Sequence, residues 1–169
     1  MTKELAWLAV VGTREVDDGM RRDLQGYVGA KIAAGCGIVS GGATGADHEA
    51  ALLAYRAALT SEHFRIYLPV ELERYCASLL ERGRLGKCRS KDAAETVELL
   101  RQIARDIPGV IYDRTSFTAV NVESFHARNR QIVELADELV AFRVDMSAGT
   151  SYTIQEAQAR GIPVRVFDY

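Results

Sequence analysis

One short bend in the sequence concentrates residues that suit phosphate binding. The stretch IVSGGATGADHEA, residues 38–50, ends an apolar run at a group of glycine and hydroxyl residues: Ser40, Gly41, Gly42, Thr44 and Gly45. Glycines between a strand and a helix let a ligand approach the backbone, and the free N–H groups of the helix start favour an anion. A tight turn without a ligand would explain one glycine, whereas three glycines beside two hydroxyl groups favour a phosphate.

A second stretch of the same kind, DMSAGTSYT, occupies residues 145–153. Gly149 allows close backbone approach, and Thr150 and Ser151 offer hydroxyl groups at another predicted helix start. Each hydroxyl could instead serve as an ordinary helix N-cap. Two such turns that face each other would hold one phosphorylated ligand from both sides.

Basic and amide side chains near the same strand ends would complete the site. Gly12, Thr13 and Arg14 follow the first predicted strand. A guanidinium there can bind phosphate through two hydrogen bonds, or it can pair with a neighbouring carboxylate on the surface. Asn129 and Arg130 lie in ARNR, near the start of a predicted helix, and are further candidate ligand residues.

Asp47 falls in the first turn of a predicted helix, which leaves two roles open. Its carboxylate either caps N–H groups of that helix or accepts a hydrogen bond from a ribose hydroxyl. We expect His48 beside it to be an ordinary helix residue rather than a catalyst.

Short apolar runs alternate with helical patterns, and these elements must position the candidate residues. The runs at 5–11, 37–40, 64–68, 138–142 and 163–167 predict strands, and the apolar spacing at 20–34, 46–59, 121–136 and 152–160 predicts helices. Such a pattern indicates a parallel sheet that is covered on both faces. We predict an α/β, Rossmann-like, doubly wound and mainly parallel sheet of about five strands with flanking helices. Ligands of such sheets bind outside the carboxyl ends of the strands, where the polar stretches fall.

Residues 72–120 interrupt this alternation, with no clear strand before 110–112 and a helical pattern at 93–105. The basic stretch RGRLGKCRSK lies within this segment, at residues 82–91. We expect an inserted helical segment beside the sheet. It is either a lid over the site or a solvated connection with one packed helix.

The composition limits the class of protein. The 169 residues suit one domain, expected to span 1–169, with a hydrophobic content of 48%. The net charge of −2 argues against bulk affinity for DNA. Three separated cysteines and three scattered histidines form neither a disulfide framework nor a metal-ligand pattern, so we predict no metal site and a cytoplasmic location. The apolar N-terminal run is too short to span a membrane.

Four motifs occur in an order that is typical of one superfamily. They are VVGTRE, VSGGATGADHEAALLA, ARNRQIVELADELVAF and AGTSYTIQEAQARGIPVRVF. Together they resemble the Rossmann-like superfamily that joins the DNA-processing protein DprA (Smf) with the LOG cytokinin-activating phosphoribohydrolases, and the DprA core is the better match. The resemblance covers most of the chain outside residues 72–121. It implies a nucleotide or nucleotide-derivative ligand and a homo-oligomer.

Two departures from that superfamily bear on function. DprA proteins usually carry additional end domains, which we expect the 169 residues not to include. LOG enzymes carry a Pro-Gly-Gly motif and a catalytic glutamate, and Thr153 occupies the place of that glutamate here. Glu156 lies one helical turn further on and is the candidate replacement.

The leading hypothesis is a stand-alone nucleotide-binding protein. Its partner would be a phosphorylated nucleoside or a related small molecule, with no membrane. The sequence identifies no certain cofactor beyond a bound nucleotide. An enzyme alternative is an N-glycosidic hydrolase acting on nucleoside monophosphates, with Glu156 or Asp47 as the catalytic carboxylate. A third alternative is single-stranded DNA binding through the basic stretch and Arg128.

Overall fold

Six strands form one parallel sheet in the computed structural model, which describes residues 5–169. In chain order they are β1 (Trp7–Gly12), β2 (Gly37–Ser40), β3 (Phe64–Tyr67), β4 (Ile111–Tyr112), β5 (Glu138–Arg143) and β6 (Val164–Asp168). Their spatial order is β4-β3-β2-β1-β5-β6, and all neighbouring pairs are parallel. The strand order therefore reverses between β1 and β5, which is where open α/β sheets bind their ligands.

Helices cover both faces of this sheet. They are α1 (Asp18–Ala33), α2 (Ala46–Arg56), α3 (Leu72–Arg84), α4 (Ser90–Asp106), α5 (Val122–Leu135) and α6 (Ala148–Ala159). The first four helices contribute to one apolar cluster, and α5 and α6 contribute to a second. In β1, Leu8 and Val10 belong to the first cluster while Ala9 and Val11 belong to the second, because successive strand residues point to opposite faces.

The start of α5 is fixed by its own sequence. The Asn121 side chain accepts a hydrogen bond from the Ser124 N–H at 2.9 Å, and the Ser124 hydroxyl accepts one from the Asn121 N–H at 2.9 Å. This reciprocal capping box satisfies two N–H groups at the helix end. It also sets which residues of α5 face the sheet, and Ile132 and Val133 are buried there.

The predicted Rossmann-like, doubly wound parallel architecture is confirmed, with six strands where about five were predicted. The sixth is the two-residue β4, which pairs with β3 at the edge of the sheet. Most predicted bounds lie within three residues of those observed. The start of α6 was predicted at residue 152 but lies at Ala148, so the AGTSYT stretch forms the first turns of a helix rather than a loop before it. The first turn tolerates glycine and hydroxyl residues because its N–H groups have no intrahelical partner.

The segment 72–120 supplies α3, α4 and β4. The sequence analysis identified the helical pattern of α4 and missed α3. Side chains of both helices, among them Tyr75, Cys76 and Ile103, belong to the first apolar cluster. A lid movement of this segment stays a prediction. No helix of the described part of the chain has the length and apolar character needed to cross a membrane.

Candidate functional site

A cavity of about 480 Å³ lies outside the carboxyl ends of β1 and β5. This volume falls within the roughly 300–1,000 Å³ typical of small-molecule sites. Four parts of the chain line it: residues 11–14 at the end of β1, Ala43 and Asp47 at the β2–α2 bend, one face of α5, and the start of α6. The cavity brings together seven of the predicted ligand residues: Gly12, Thr13, Arg14, Asp47, Asn129, Gly149 and Thr150.

A buried ion pair lies at one side of this cavity. Arg128 is 7% exposed and Asp47 6%, and the Arg128 Nη1 atom lies 3.9 Å from Asp47 Oδ2. The same Nη1 donates to the Gly41 carbonyl, and the Ala43 N–H donates to Asp47 Oδ2 at 3.2 Å. Arg128 Nε is buried and has no hydrogen-bond partner within residues 5–169. This Nε–H is therefore an unsatisfied donor that the protein shields from solvent.

Burial raises the pKa of Asp47, and the Arg128 charge and the Ala43 N–H act in the opposite direction. Desolvation disfavours the charged carboxylate, whereas a nearby cation and a hydrogen-bond donor favour it. Because both of those neighbours point at the same oxygen, the role of Asp47 in the structure is to hold Arg128 and the bend in place.

Phe125 lies close to both guanidinium groups of the cavity lining. The Arg14 Cζ atom lies 5.6 Å from the centroid of the Phe125 ring, and the Arg128 Cζ atom lies 5.4 Å from it. Both distances suit cation–π attraction. No ion pair joins Arg14 to Glu15, Asp17 or any other residue of 5–169, which leaves its guanidinium available to a ligand.

The start of α6 forms another part of the cavity wall. Ser147 is the N-cap residue, and its side chain makes no capping hydrogen bond. The first N–H groups of an α-helix have no intrahelical partner, so those of Ala148, Gly149 and Thr150 are free to bind a ligand. All three residues line the cavity. The positive end of the helix dipole at this wall favours an anion.

The glycines of the β2–α2 bend have internal packing roles. A Cβ atom on Gly41 would lie 1.9 Å from Arg128 Nη1, and one on Gly45 would lie 2.2 Å from the Thr13 carbonyl oxygen. Gly42 has a φ of +71° and a Cβ there would lie 2.6 Å from Leu68 Cδ2, inside the first apolar cluster. None of the three glycines lines the 480 Å³ cavity. The bend supports the site by positioning Arg128 and by bringing Thr13 and Arg14, which follow β1, close to the start of α2.

Other predicted site residues also lie outside the cavity lining. The Ser40 hydroxyl donates to the Val10 carbonyl at 2.9 Å between the strands, and Thr44 borders a separate small cavity. Ser151 is partly buried on α6, and Glu156 is not part of the lining. Arg130 is exposed and its Nη1 donates to the Tyr152 hydroxyl at 3.2 Å. Asp47 is the one carboxylate that lines the cavity in the described chain.

The sequence analysis missed the side chains that α5 contributes to the cavity wall beyond Asn129, among them Phe125, His126 and Arg128. Arg128 was named only for single-strand binding, and Arg130 was preferred for the nucleotide site. The available signal was helical phase. Residues 125, 128, 129 and 132 recur at the spacing of one helix face, which favours Arg128, whereas Arg130 lies one turn after His126 at the margin of that face.

The fold and the site define a class of protein: a Rossmann-like α/β protein with a cavity lined by arginines at the reversal point of its parallel sheet. The sequence model of one family, described as DNA recombination-mediator protein A, matches residues 1–168. The chain therefore belongs to the DNA recombination-mediator protein A family.

Solved structures agree with this assignment at the level of the fold. DNA processing protein A from Helicobacter pylori, whose structure concerns its single-stranded DNA binding mode, superposes with a TM-score of 0.67 at 23% identity, over 95% of this chain and 64% of that one. DprA from Streptococcus pneumoniae gives 0.66 at 18% identity, over 96% and 50%. The structural genomics target TM1055 gives 0.56 at 16% identity, over 95% and 72%. The chain thus spans 64% and 50% of the two DprA proteins. A search of curated proteins finds no sequence match.

Proposed function

We propose that the cavity binds one phosphorylated nucleotide unit, either a free nucleotide or one residue of a single strand. The observation that carries the proposal is the presence of two anion-binding groups in the lining of one cavity. They are the free N–H groups at the start of α6 and the Arg128 guanidinium. A phosphate that contacts both would gain charge-assisted hydrogen bonds from each.

The exposed Arg14 adds a second guanidinium at the same cavity. Its charge is not consumed by an ion pair within residues 5–169, so it is available to a ligand. Arg128 by contrast is committed in part to Asp47 and to the Gly41 carbonyl. Arg14 is therefore the residue whose loss should weaken binding without disturbing the fold.

Single-stranded DNA is the second candidate, and the position of the basic stretch favours it. Arg82 borders a small cavity together with Arg14 and Phe125, and Arg89 pairs with Glu15 in the loop after β1. The stretch 82–91 thus places basic side chains next to the main cavity, at the turn between α3 and α4. The Helicobacter pylori relative, which binds single-stranded DNA, supports the same reading.

Isothermal titration with AMP and with a twelve-nucleotide oligodeoxyadenylate tests the proposal. It also distinguishes a free nucleotide from a residue of a single strand as the ligand. Arg14→Ala should weaken both ligands about tenfold or more, because a hydrogen bond to a charged group contributes about 1.5–3 kcal/mol. The matched control is Arg56→Ala, which removes an exposed arginine at the far end of α2. Native protein that binds neither ligand at low salt would overturn the proposal.

The hydrolase alternative has weaker support from the geometry. Glu156 lies outside the cavity lining, and the Asp47 carboxylate is held by Arg128 and the Ala43 N–H. Release of free adenine from AMP, measured by chromatography, tests it. The expected homo-oligomer and the cytoplasmic location also stay predictions, and light scattering of the purified protein tests the first.

A further inference from the structure

His126 and Tyr152 form a stacked pair beside the cavity. Their ring centroids lie 3.9 Å apart and the ring planes differ by 10°. His126 belongs to α5 and Tyr152 to α6, so the stack joins two neighbouring helices that both contribute to the cavity lining. Of the two rings, only the His126 imidazole belongs to the cavity lining.

The phenol ring behind His126 is held by a second contact. Arg130 Nη1 donates to the Tyr152 hydroxyl at 3.2 Å, one helical turn along α5 from His126. Arg130 thus holds the Tyr152 ring, and this ring restricts the movement of the His126 imidazole that stacks on it. A side chain with so little freedom loses little conformational entropy when a ligand binds to it.

We propose that the His126–Tyr152 stack is the platform on which the cavity receives a planar heteroaromatic ring, the base of the nucleotide. This inference rests on the proposed function, since it names the part of the same cavity that recognises the base. Stacking on an aromatic side chain tolerates any base, because every base has a π-face. The Val122 and Phe125 side chains of α5 line the same side of the cavity and extend the apolar surface for the ring.

The platform also gives Arg130 a function. The sequence predicted that Arg130 contacts the ligand, whereas its guanidinium contacts Tyr152. In this arrangement Arg130 is a positioning residue that acts through the phenol. The groups proposed to bind the phosphate, Arg128 and the first N–H groups of α6, are different from the His126 ring, so each can be tested by its own variant.

The test compares a ligand with a base and a ligand without one. Dissociation constants for AMP and for ribose 5-phosphate are measured by isothermal titration on the native protein and on His126→Ala. We expect AMP affinity to fall about 5- to 150-fold, the range of base–aromatic stacking, and to fall at least fivefold more than the affinity for ribose 5-phosphate. His126→Phe restores a planar ring and should recover most of the AMP affinity.

One control variant and three possible outcomes decide whether the stack receives the base. The matched control His63→Ala removes a histidine at the amino end of β3, whereas the cavity lies at the carboxyl ends of the strands. It should leave the AMP affinity as in the native protein. Equal losses of AMP and ribose 5-phosphate in His126→Ala, accompanied by a lower melting temperature, would mean that the stack only packs α5 against α6. Native protein that binds neither ligand would overturn the proposed function, whereas unchanged AMP affinity in His126→Ala would overturn the platform alone.

Discussion

The Arg128 guanidinium stabilises the β2–α2 bend in addition to lining the cavity. It lies 3.9 Å from Asp47 Oδ2 and donates to the Gly41 carbonyl, and both charged side chains are less than a tenth exposed. Removing one partner of a buried pair leaves the other charge without compensation in a medium of low dielectric constant. The stability of the bend therefore depends on this side chain even when the cavity is empty.

Arg128→Met should lower the free energy of unfolding at neutral pH by about 3–5 kcal/mol, because it strands the buried Asp47 carboxylate. The matched control is Arg105→Met. It breaks the exposed 3.5 Å pair with Glu98 and should cost less than about 1 kcal/mol. Urea denaturation of both variants measures the difference. Similar losses in the two proteins would show that burial adds nothing to the Arg128–Asp47 pair.

Among the elements, the β2–α2 bend has glycines that the fold itself requires. Gly42 and Gly45 have φ angles of +71° and +79°, and a Cβ atom on either would collide with neighbouring atoms. Gly86 in the turn after α3 has a φ of +69° but no atom within 4 Å of a built Cβ. A substitution at Gly86 therefore measures the cost of the left-handed backbone alone, and a substitution at Gly42 measures that cost together with the cost of a steric clash.

Gly86→Ala should cost about 1–2 kcal/mol, the price of a non-glycine residue in the left-handed region. Gly42→Ala should cost about 1–3 kcal/mol more, because its methyl group presses on Leu68 in the apolar cluster. Thermal or urea unfolding measures both. If Gly42→Ala were no worse than Gly86→Ala but abolished AMP binding, the glycine would serve the ligand rather than the fold.

The β2–α2 bend and the start of α6 also mark how far the sequence could predict the site. Buried strands and helix spacing predicted the sheet, and with it the edge where the polar stretches meet, because these patterns depend on local periodicity. The glycines at 41, 42 and 45 looked like a ligand loop because their tertiary neighbours, Arg128, Leu68 and Thr13, are distant in sequence. The choice between Arg128 and Arg130 likewise depended on the rotation of α5 about its axis.

The start of α6 should show a conflict between stability and binding. Ser147 makes no side-chain cap, so Ser147→Asp should raise the stability by about 0.5–1 kcal/mol through capping and the helix dipole. The new carboxylate should also weaken AMP about fivefold, since a like charge at about 4 Å costs about 1 kcal/mol in water. Ser147→Asn caps without a charge and should give the stabilisation with a smaller loss of affinity. Tighter AMP binding to Ser147→Asp would contradict an anion-binding site at the start of α6.

The whole chain combines a net charge of −2 with a local basic surface. Of the basic residues in 82–91, Arg84, Arg89 and Lys91 form ion pairs, with Glu81, Glu15 and Glu95 respectively. Arg82 and Lys87 form none within residues 5–169 and remain available to a phosphate backbone. Salt dependence therefore distinguishes a single strand that follows this surface from a nucleotide that occupies the cavity alone.

Lys87→Ala and Arg82→Ala should each reduce the salt dependence of oligodeoxyadenylate binding. Each phosphate contact on a single strand contributes about −0.7 to the slope of log K against log salt concentration. Each variant should therefore bring the slope about 0.7 closer to zero, measured by fluorescence anisotropy between 50 and 200 mM salt. Arg56→Ala, at the opposite end of α2, should leave the slope as it is in the native protein. Slopes that stay the same in all three variants, while AMP still binds, would confine the ligand to the cavity and exclude a strand across the α3–α4 turn.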